Sequence, residues 1–175
     1  MVQTVPVRFR LWARRKIQKF RVFVSYRTLA KVIRVDKQEK YDRAYLKMAL
    51  EWAKLSHCKR KKVGALIVKN KMIISDGYNG TPTGFENECE DEKGKTKWYV
   101  LHAEANAILK TASSTHNCSG ATLYLTMSPC KDCSKLVYQA GIKRLVYLDR
   151  YSDISGIAFL KEAGVDVVEF DKQKV

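Results

Sequence analysis

Between residues 41 and 55 the apolar side chains Tyr41, Ala44, Tyr45, Met48, Trp52 and Leu55 recur at steps of three and four, the spacing that lines one face of an α-helix. The pattern predicts a helix over 41–56 with that face in the core. Residues 63–68 (VGALIV) are a continuous apolar run with strand character, Asn70 and Lys71 read as a turn, and 72–75 read as a second strand, so a hairpin is expected. A stretch rich in Gly, Asn, Thr and Pro then breaks the pattern at 77–84 (GYNGTPTG), and a polar, acid-bearing loop follows over 86–97. Beyond it the chain alternates: helix 103–112, strand 121–126, a helix from near Cys130 to Gly141, strand 144–148, helix 154–163 closed by Gly164, and strand 165–170. Three consecutive strand–helix alternations call for parallel strands with right-handed crossovers, hence an α/β sheet covered on both faces.

At 175 residues, 46% of them apolar, the chain has enough material for one well-packed core and too little for two ordinary domains. Its formal charge of +15 suggests a nucleic-acid binder until it is divided along the chain. Residues 1–40 hold twelve Lys or Arg against Asp36 and Glu39, a net +10, which leaves +5 for 41–175. The expected organisation is therefore a basic N-terminal extension over 1–40, disordered or helical, and a catalytic domain over 41–175. The extension mixes Arg and Lys with Leu11, Trp12, Ile17, Phe20 and Phe23. Three readings stand for it: a surface arm for nucleic acid or acidic membrane, an Arg-rich targeting peptide, or an upstream appendage with no catalytic role. An uninterrupted apolar run of about 18 residues is absent, as is the charged-apolar-small order of a secretory signal, so a soluble cytoplasmic protein is expected. Of the five cysteines, Cys130 and Cys133 stand at C-x-x-C spacing. That favours metal or redox chemistry in a reducing compartment over a disulfide framework. Cys58, Cys89 and Cys118 are expected to be single buried residues acting as small apolar side chains.

The densest chemistry is His102-Ala103-Glu104 combined with Pro129-Cys130-Lys131-Asp132-Cys133, separated by a helix, a loop and a strand. Zinc accepts imidazole nitrogen and thiolate sulfur, and a catalytic site keeps a fourth position open for water; one His and two Cys leave that vacancy. Two cysteines three apart at a helix start share a side, and the positive helix end stabilises their thiolates. Glu104, two residues from a ligand, is placed to carry protons between water and substrate. A lone C-x-x-C also fits a redox pair or a closed structural zinc site. The first has no need of His-Ala-Glu, and the second needs a fourth ligand from among His57, His116, Cys58, Cys89 and Cys118.

The H-x-E plus P-C-x-x-C combination is identified with zinc nucleobase deaminases. Within that superfamily, residues 41–171 resemble the deoxycytidylate (dCMP) deaminase family through Cys58-Lys-Arg-Lys-Lys-Val-Gly-Ala65, GYNGTPTG at 77–84, His102-Ala-Glu-Ala-Asn-Ala-Ile108, Ser128-Pro-Cys-Lys-Asp-Cys133 and Ala140-Gly-Ile142. The resemblance implies a three-layer α/β/α cytidine deaminase-like fold with a mixed five-stranded sheet. It also implies hydrolysis of dCMP to dUMP and ammonia for thymidylate synthesis, with one catalytic Zn2+ per chain held by His102, Cys130 and Cys133, and Glu104 as proton carrier. Asn79 and Ala103 would meet the sugar and base, and Arg60, its basic neighbours Lys59, Lys61 and Lys62, or Tyr151 would meet the phosphate. Asn79 has a second reading, as a left-handed turn residue between strands. A homo-oligomer, hexameric by the resemblance, is implied, with dCTP and dTTP as effectors acting with Mg2+ at Gly80, Thr81, Thr83 and Gly84. Further zinc, built from His57, Cys58 and Cys89, is not expected. Two rivals remain: a deaminase of bases in tRNA or other nucleic acid, motivated by the arm, and a non-catalytic zinc-stabilised binding module. The modest charge of the body and the GYNGTPTG loop weigh against nucleic acid as partner, and no membrane partner is expected.

Overall fold

The computed structural model describes residues 26–175, with side chains from 37 onward; the readings of residues 1–25 lie outside them. Helix α1 spans Tyr26–Lys54. It begins 15 residues before Tyr41, where the sequence reading started the helix, and runs unbroken across residue 40, where the charge changes. Strands β1 (Gly64–Lys69) and β2 (Met72–Tyr78) form the expected hairpin. Its turn residues Asn70 and Lys71 are both left-handed, with φ of 51° and 64°, as the right-handed twist of a two-residue hairpin loop requires. β2 continues past Ser75 to Tyr78, and a register irregularity sits between Ile67 and Val68. Then come α2 (Ala103–Ala112), β3 (Thr122–Met127), α3 (Lys131–Gln139), β4 (Arg144–Asp149), α4 (Ser155–Glu162) and β5 (Asp166–Glu169), with a 3₁₀ turn over Lys172–Lys174 that the sequence pattern did not mark.

The strand order is β2-β1-β3-β4-β5. β1 is antiparallel to both β2 and β3, whereas β3, β4 and β5 are parallel, giving the mixed five-stranded sheet. Because side chains alternate across a strand, each central strand feeds two cores. Ala65, Ile67, Leu123, Leu125, Leu145 and Tyr147 pack with Ala107 of α2, Val137 of α3 and Leu160 of α4. Leu66, Val68, Tyr124, Val146 and Leu148 pack with Leu46 and Ala49 of α1. These are the three layers of an α/β/α sandwich.

One contact sets the depth of α2. A Cβ at Gly77 would collide with the Ala103 carbonyl and come within 2.7 Å of the Ala107 nitrogen, so the absence of a side chain lets α2 lie directly on β2. The Ser75 hydroxyl donates to the Ala107 carbonyl at 2.6 Å and the Asn106 amide donates to the Tyr78 carbonyl at 2.7 Å, which fixes the helix along its length.

The cysteine expectation is corrected at one pair. Cys58 and Cys89 form a disulfide, with Cα atoms 5.0 Å apart and a sequence separation of 31; both are buried. No local spacing marks this pair, because the fold rather than the motif brings the two segments together. Thus the reading of Cys58 and Cys89 as single buried thiols does not hold, whereas Cys118, Cys130 and Cys133 are free.

On the α1 face the buried Asp42, 3% exposed, ties helix to sheet. It accepts from Arg144 Nη1 and Nη2 at 2.7 and 2.8 Å, from the Tyr124 hydroxyl at 2.8 Å and from Gln38 at 2.9 Å. Burial works to raise its pKa, but the hydrogen bonds from Arg144, Gln38 and Tyr124 outweigh it and hold the carboxyl below its ordinary value. Breaking one side of such a pair strands the other charge, so Asp42→Ala is expected to lower stability by about 3–5 kcal/mol in urea unfolding. Since the folded-state pKa is depressed, the contribution of Asp42 is complete above the ordinary carboxylate range and disappears as pH falls through the lowered value. The variant therefore flattens the acid limb of the stability curve; an unchanged limb would remove Asp42 from that role.

Candidate active site

The metal-ligating side chains sit at two helix starts. His102 occupies the N-cap of α2 (φ −74°, ψ 156°) and Cys130 the N-cap of α3 (φ −70°, ψ 170°), and neither side chain caps its own helix. Both are thereby left to face outward from the helix ends. Cys133, one turn into α3, joins them: His102 Nδ1 lies 3.6 Å from Cys130 Sγ and 3.4 Å from Cys133 Sγ. A tetrahedral zinc with bonds of about 2.0 Å to nitrogen and 2.3 Å to sulfur has N···S edges of roughly 3.6 Å. The donor atoms therefore already stand at ligand spacing, and the set supplies three ligands. Among the described residues this is the one group of three or more His, Cys, Asp or Glu that meets at metal-binding distance.

Gly156 secures the α3 start. A Cβ there would strike the Ser134 hydroxyl and approach the Pro129 and Cys130 carbonyls to 2.8 and 2.9 Å, so α4 closes tightly over the cysteine turn. The Cys130 carbonyl accepts from both the Ser134 amide and its hydroxyl at 2.9 Å.

The electrostatics favour anionic sulfur. The Cys130 thiol is lowered to about 4, first by the hydrogen bond from Cys133 and then by the one from His102. His102 is raised chiefly by its bond to Cys130, and Cys133 is pushed up as the proton donor to that thiolate. A divalent ion entering the trio displaces these protons, so binding is coupled to pH. Glu104, second residue of α2 and 3% exposed, is raised by burial above the ordinary carboxyl range.

Glu104, His102, Ala103 and Cys130 line one pocket together with Asn79, Arg60, Lys61 and Tyr151. Ala103, Glu104 and Ser128 are buried, His102 is exposed and Cys130 half-buried, and Arg60, Lys61 and Tyr151 are exposed, so the pocket has a buried floor beside Glu104 and an open basic rim. Both polar ends of the Asn79 side chain are engaged: Oδ1 accepts from the Val63 amide at 2.7 Å and Nδ2 donates to the Lys61 carbonyl at 2.8 Å. Asn79 is not left-handed, so the turn alternative is set aside; its side chain shapes the pocket wall by clamping the entry to β1. The Tyr151 amide donates to the Ser128 hydroxyl at 2.8 Å.

Lys59 and Lys62 do not line the pocket, and neither do Gly80, Thr81, Thr83 and Gly84. Gly80 pairs with Leu101 through two backbone hydrogen bonds of 3.1 and 2.9 Å, Gly84 has φ of 93°, and the buried Thr81 hydroxyl lacks a hydrogen-bond partner among the described residues. Sequence reasoning missed Val63, Glu90, Thr96, Val100, Met127 and Ser128 as lining residues. Ser128 stands beside the Pro-Cys motif and was in reach; Glu90 and Thr96 lie in an aperiodic polar loop that carries no signal.

A family model described as the cytidine and deoxycytidylate deaminase zinc-binding region matches residues 39–149, which include both motifs. The solved structure of dCMP deaminase from cyanophage S-TIM5, in complex with dCMP and dUMP, is 48% identical, with 73% of this chain and 94% of that chain covered and a TM-score of 0.71. The deoxycytidylate deaminase of Enterobacteria phage T4 is 34% identical, with 69% of this chain and 84% of the relative covered. That of Mycobacterium phage D29 is 37% identical, with 61% and 93% covered.

Two measurements check the sulfur assignments. Metal analysis is expected to find one zinc per chain, lost in Cys133→Ser; retention of zinc in that variant would contradict the ligand set. Thiol titration after denaturation and metal removal is expected to count three groups without reductant and all five with it; five without reductant would refute the Cys58–Cys89 bond.

Proposed function

The chain belongs to the zinc-binding cytidine and deoxycytidylate deaminase family, and from that premise we propose that it hydrolyses dCMP to dUMP and ammonia, the product being the precursor for thymidylate synthesis. The observation that carries this reading is a trio of zinc donors, His102, Cys130 and Cys133, of which His102 and Cys130 line one pocket with the buried Glu104 carboxyl and the basic side chains of Arg60 and Lys61.

Zinc, held by His102, Cys130 and Cys133, supplies the Lewis acidity that makes water nucleophilic near neutral pH. Glu104 accepts the proton of the attacking water and delivers it to N3 of the cytosine ring. Glu104 then takes the proton of the new C4 hydroxyl, which becomes the carbonyl as the C4–N bond breaks, and passes it to the leaving amine, which departs as ammonia. The carboxyl raised by burial suits both steps, since it holds a proton at little cost. The amide of Ala103, in the first turn of α2, has no partner within the helix and is free to bond the base. Asn79 shapes the sugar-binding wall. Arg60 and Lys61, with Tyr151 beside them, meet the 5′-phosphate, for which a guanidinium offers paired donors.

The remaining parts of the proposal follow the family. The Gly80–Gly84 segment, with Thr81 and Thr83, binds dCTP or dTTP with Mg2+; the unpartnered Thr81 hydroxyl supports a ligand role there. The enzyme is a homo-oligomer, a hexamer by family likeness. It works in the cytoplasm, where nucleotide monophosphates are found, and no described helix is long and apolar enough to cross a membrane. Residues 1–40 are an appendage to a catalytic domain over 41–175.

Ammonia release from dCMP, dCTP, deoxycytidine, cytosine and a tRNA tests the substrate: dCMP is expected to be preferred, and preference for tRNA would overturn the reading. Glu104→Gln is expected to keep its zinc and lose activity by about 10²–10⁴-fold or more; unchanged turnover would remove Glu104 from the mechanism. A chain starting near Lys40 is expected to fold and to deaminate dCMP; loss of both would make the extension part of the enzyme. Adding dCTP or dTTP with Mg2+ to the same assay is expected to raise or lower the rate respectively.

A further inference from the structure

Residues 89–97 make a small hairpin over the pocket wall. Glu90 and Thr96 are an antiparallel bridge pair. The Lys97 amide donates to the Cys89 carbonyl and the Asp91 amide to the Lys95 carbonyl, both at 2.8 Å. The Asp91 carboxylate caps the turn by accepting from the Lys93 and Lys95 amides at 3.0 and 2.8 Å.

Side chains of an antiparallel pair stand on the same face, and here both are directed at the segment after Cys58. The Glu90 carboxylate accepts from the Lys59 amide at 3.1 and 3.2 Å and from the Arg60 amide at 3.1 Å. Thr96 Oγ1 accepts from Arg60 Nη1 at 3.1 Å. Arg60 is therefore held twice, at its backbone by Glu90 and at its guanidinium by Thr96, and the Cys58–Cys89 bond pins the same two segments one residue away.

We propose that the Glu90–Thr96 pair is a positioning device that presents Arg60 to the substrate phosphate, so that this loop sets the preference for a nucleoside monophosphate over the free nucleoside. The inference rests on the dCMP reading above. An exposed arginine loses much rotamer freedom when it binds an anion, and one already oriented loses less. Thr96 occupies one of the five guanidinium N–H groups and leaves the others for phosphate oxygens. The Glu90 carboxylate is spent on backbone amides, which orders the turn while keeping the guanidinium available.

The test is steady-state kinetics of the full zinc-loaded chain with dCMP and deoxycytidine, for wild type, Glu90→Gln, Thr96→Val and Arg60→Ala, and for each of the first two combined with the third. Glu90→Gln and Thr96→Val are expected to raise KM for dCMP about tenfold or more, with kcat falling far less, and to leave deoxycytidine kinetics nearly untouched. In the Arg60→Ala background neither substitution is expected to raise KM further. Equal losses on both substrates, or full additivity with Arg60→Ala, would overturn the proposal. Where deoxycytidine turnover is too slow to follow, calorimetric binding of dUMP against deoxyuridine reads the same difference. Wild-type protein inactive on dCMP would sink the substrate reading itself; an active wild type with an Arg60→Ala KM unchanged would sink the positioning role alone. Thermal melts identify any variant that loses its fold, and Thr96→Val, which keeps shape and removes only the acceptor, carries the test if Glu90→Gln does.

Discussion

The site depends on a backbone-to-backbone contact. With hydrogen in place of a side chain at Gly77, α2 rests on β2 at the depth where its first residues reach the zinc cluster. A methyl group there would lift the helix, and His102 Nδ1 would leave its 3.4 and 3.6 Å separations from the two sulfurs. Gly156 does the corresponding work for α3 by letting α4 close on the cysteine turn. Metal geometry in this fold is a consequence of how closely helices approach a sheet edge and each other. Interiors packed to crystal-like density transmit a displacement of one methylene, which is why the ligand residues need not be near one another in sequence.

Given that placement, two helix N-termini converge and do electrostatic work. The positive end of α3, the His102–Cys130 bond and the Cys133 proton favour a thiolate at Cys130, while Cys133 is held in its protonated form. In the same site burial drives Glu104 the other way, toward the protonated form. Groups pushed in opposite directions within one pocket are the arrangement that acid–base hydrolysis needs. The buried carboxyl lies at the floor of the pocket and the basic side chains of Arg60 and Lys61 at its exposed rim.

The parts legible in the sequence were those with a period or a motif. The continuous apolar run of 63–68 and the strand–helix alternation that follows residue 103 placed β1 and β3, and the H-x-E and P-C-x-x-C spacings named the three ligands that the fold gathers. The start of α1 was missed because residues 1–40 were set apart by their charge as an extension, although Tyr26, Leu29, Ala30 and Ile33 already recur at helical steps. The Cys58–Cys89 bond, the ligand-like contacts of Glu90 and the capture of Arg60 by Thr96 were hidden for a different reason. They link aperiodic loops brought together only by the tertiary fold, and no one-dimensional pattern encodes them.

Two pairs of cysteines thus lie in one neighbourhood in opposite oxidation states. Cys58 and Cys89 must stay joined to keep the pocket wall in shape, whereas Cys130 and Cys133 must stay reduced to hold metal. Reduction of the first pair would untie the loop that carries Glu90 from the segment that carries Arg60, whereas oxidation of the second would consume two of the three metal donors.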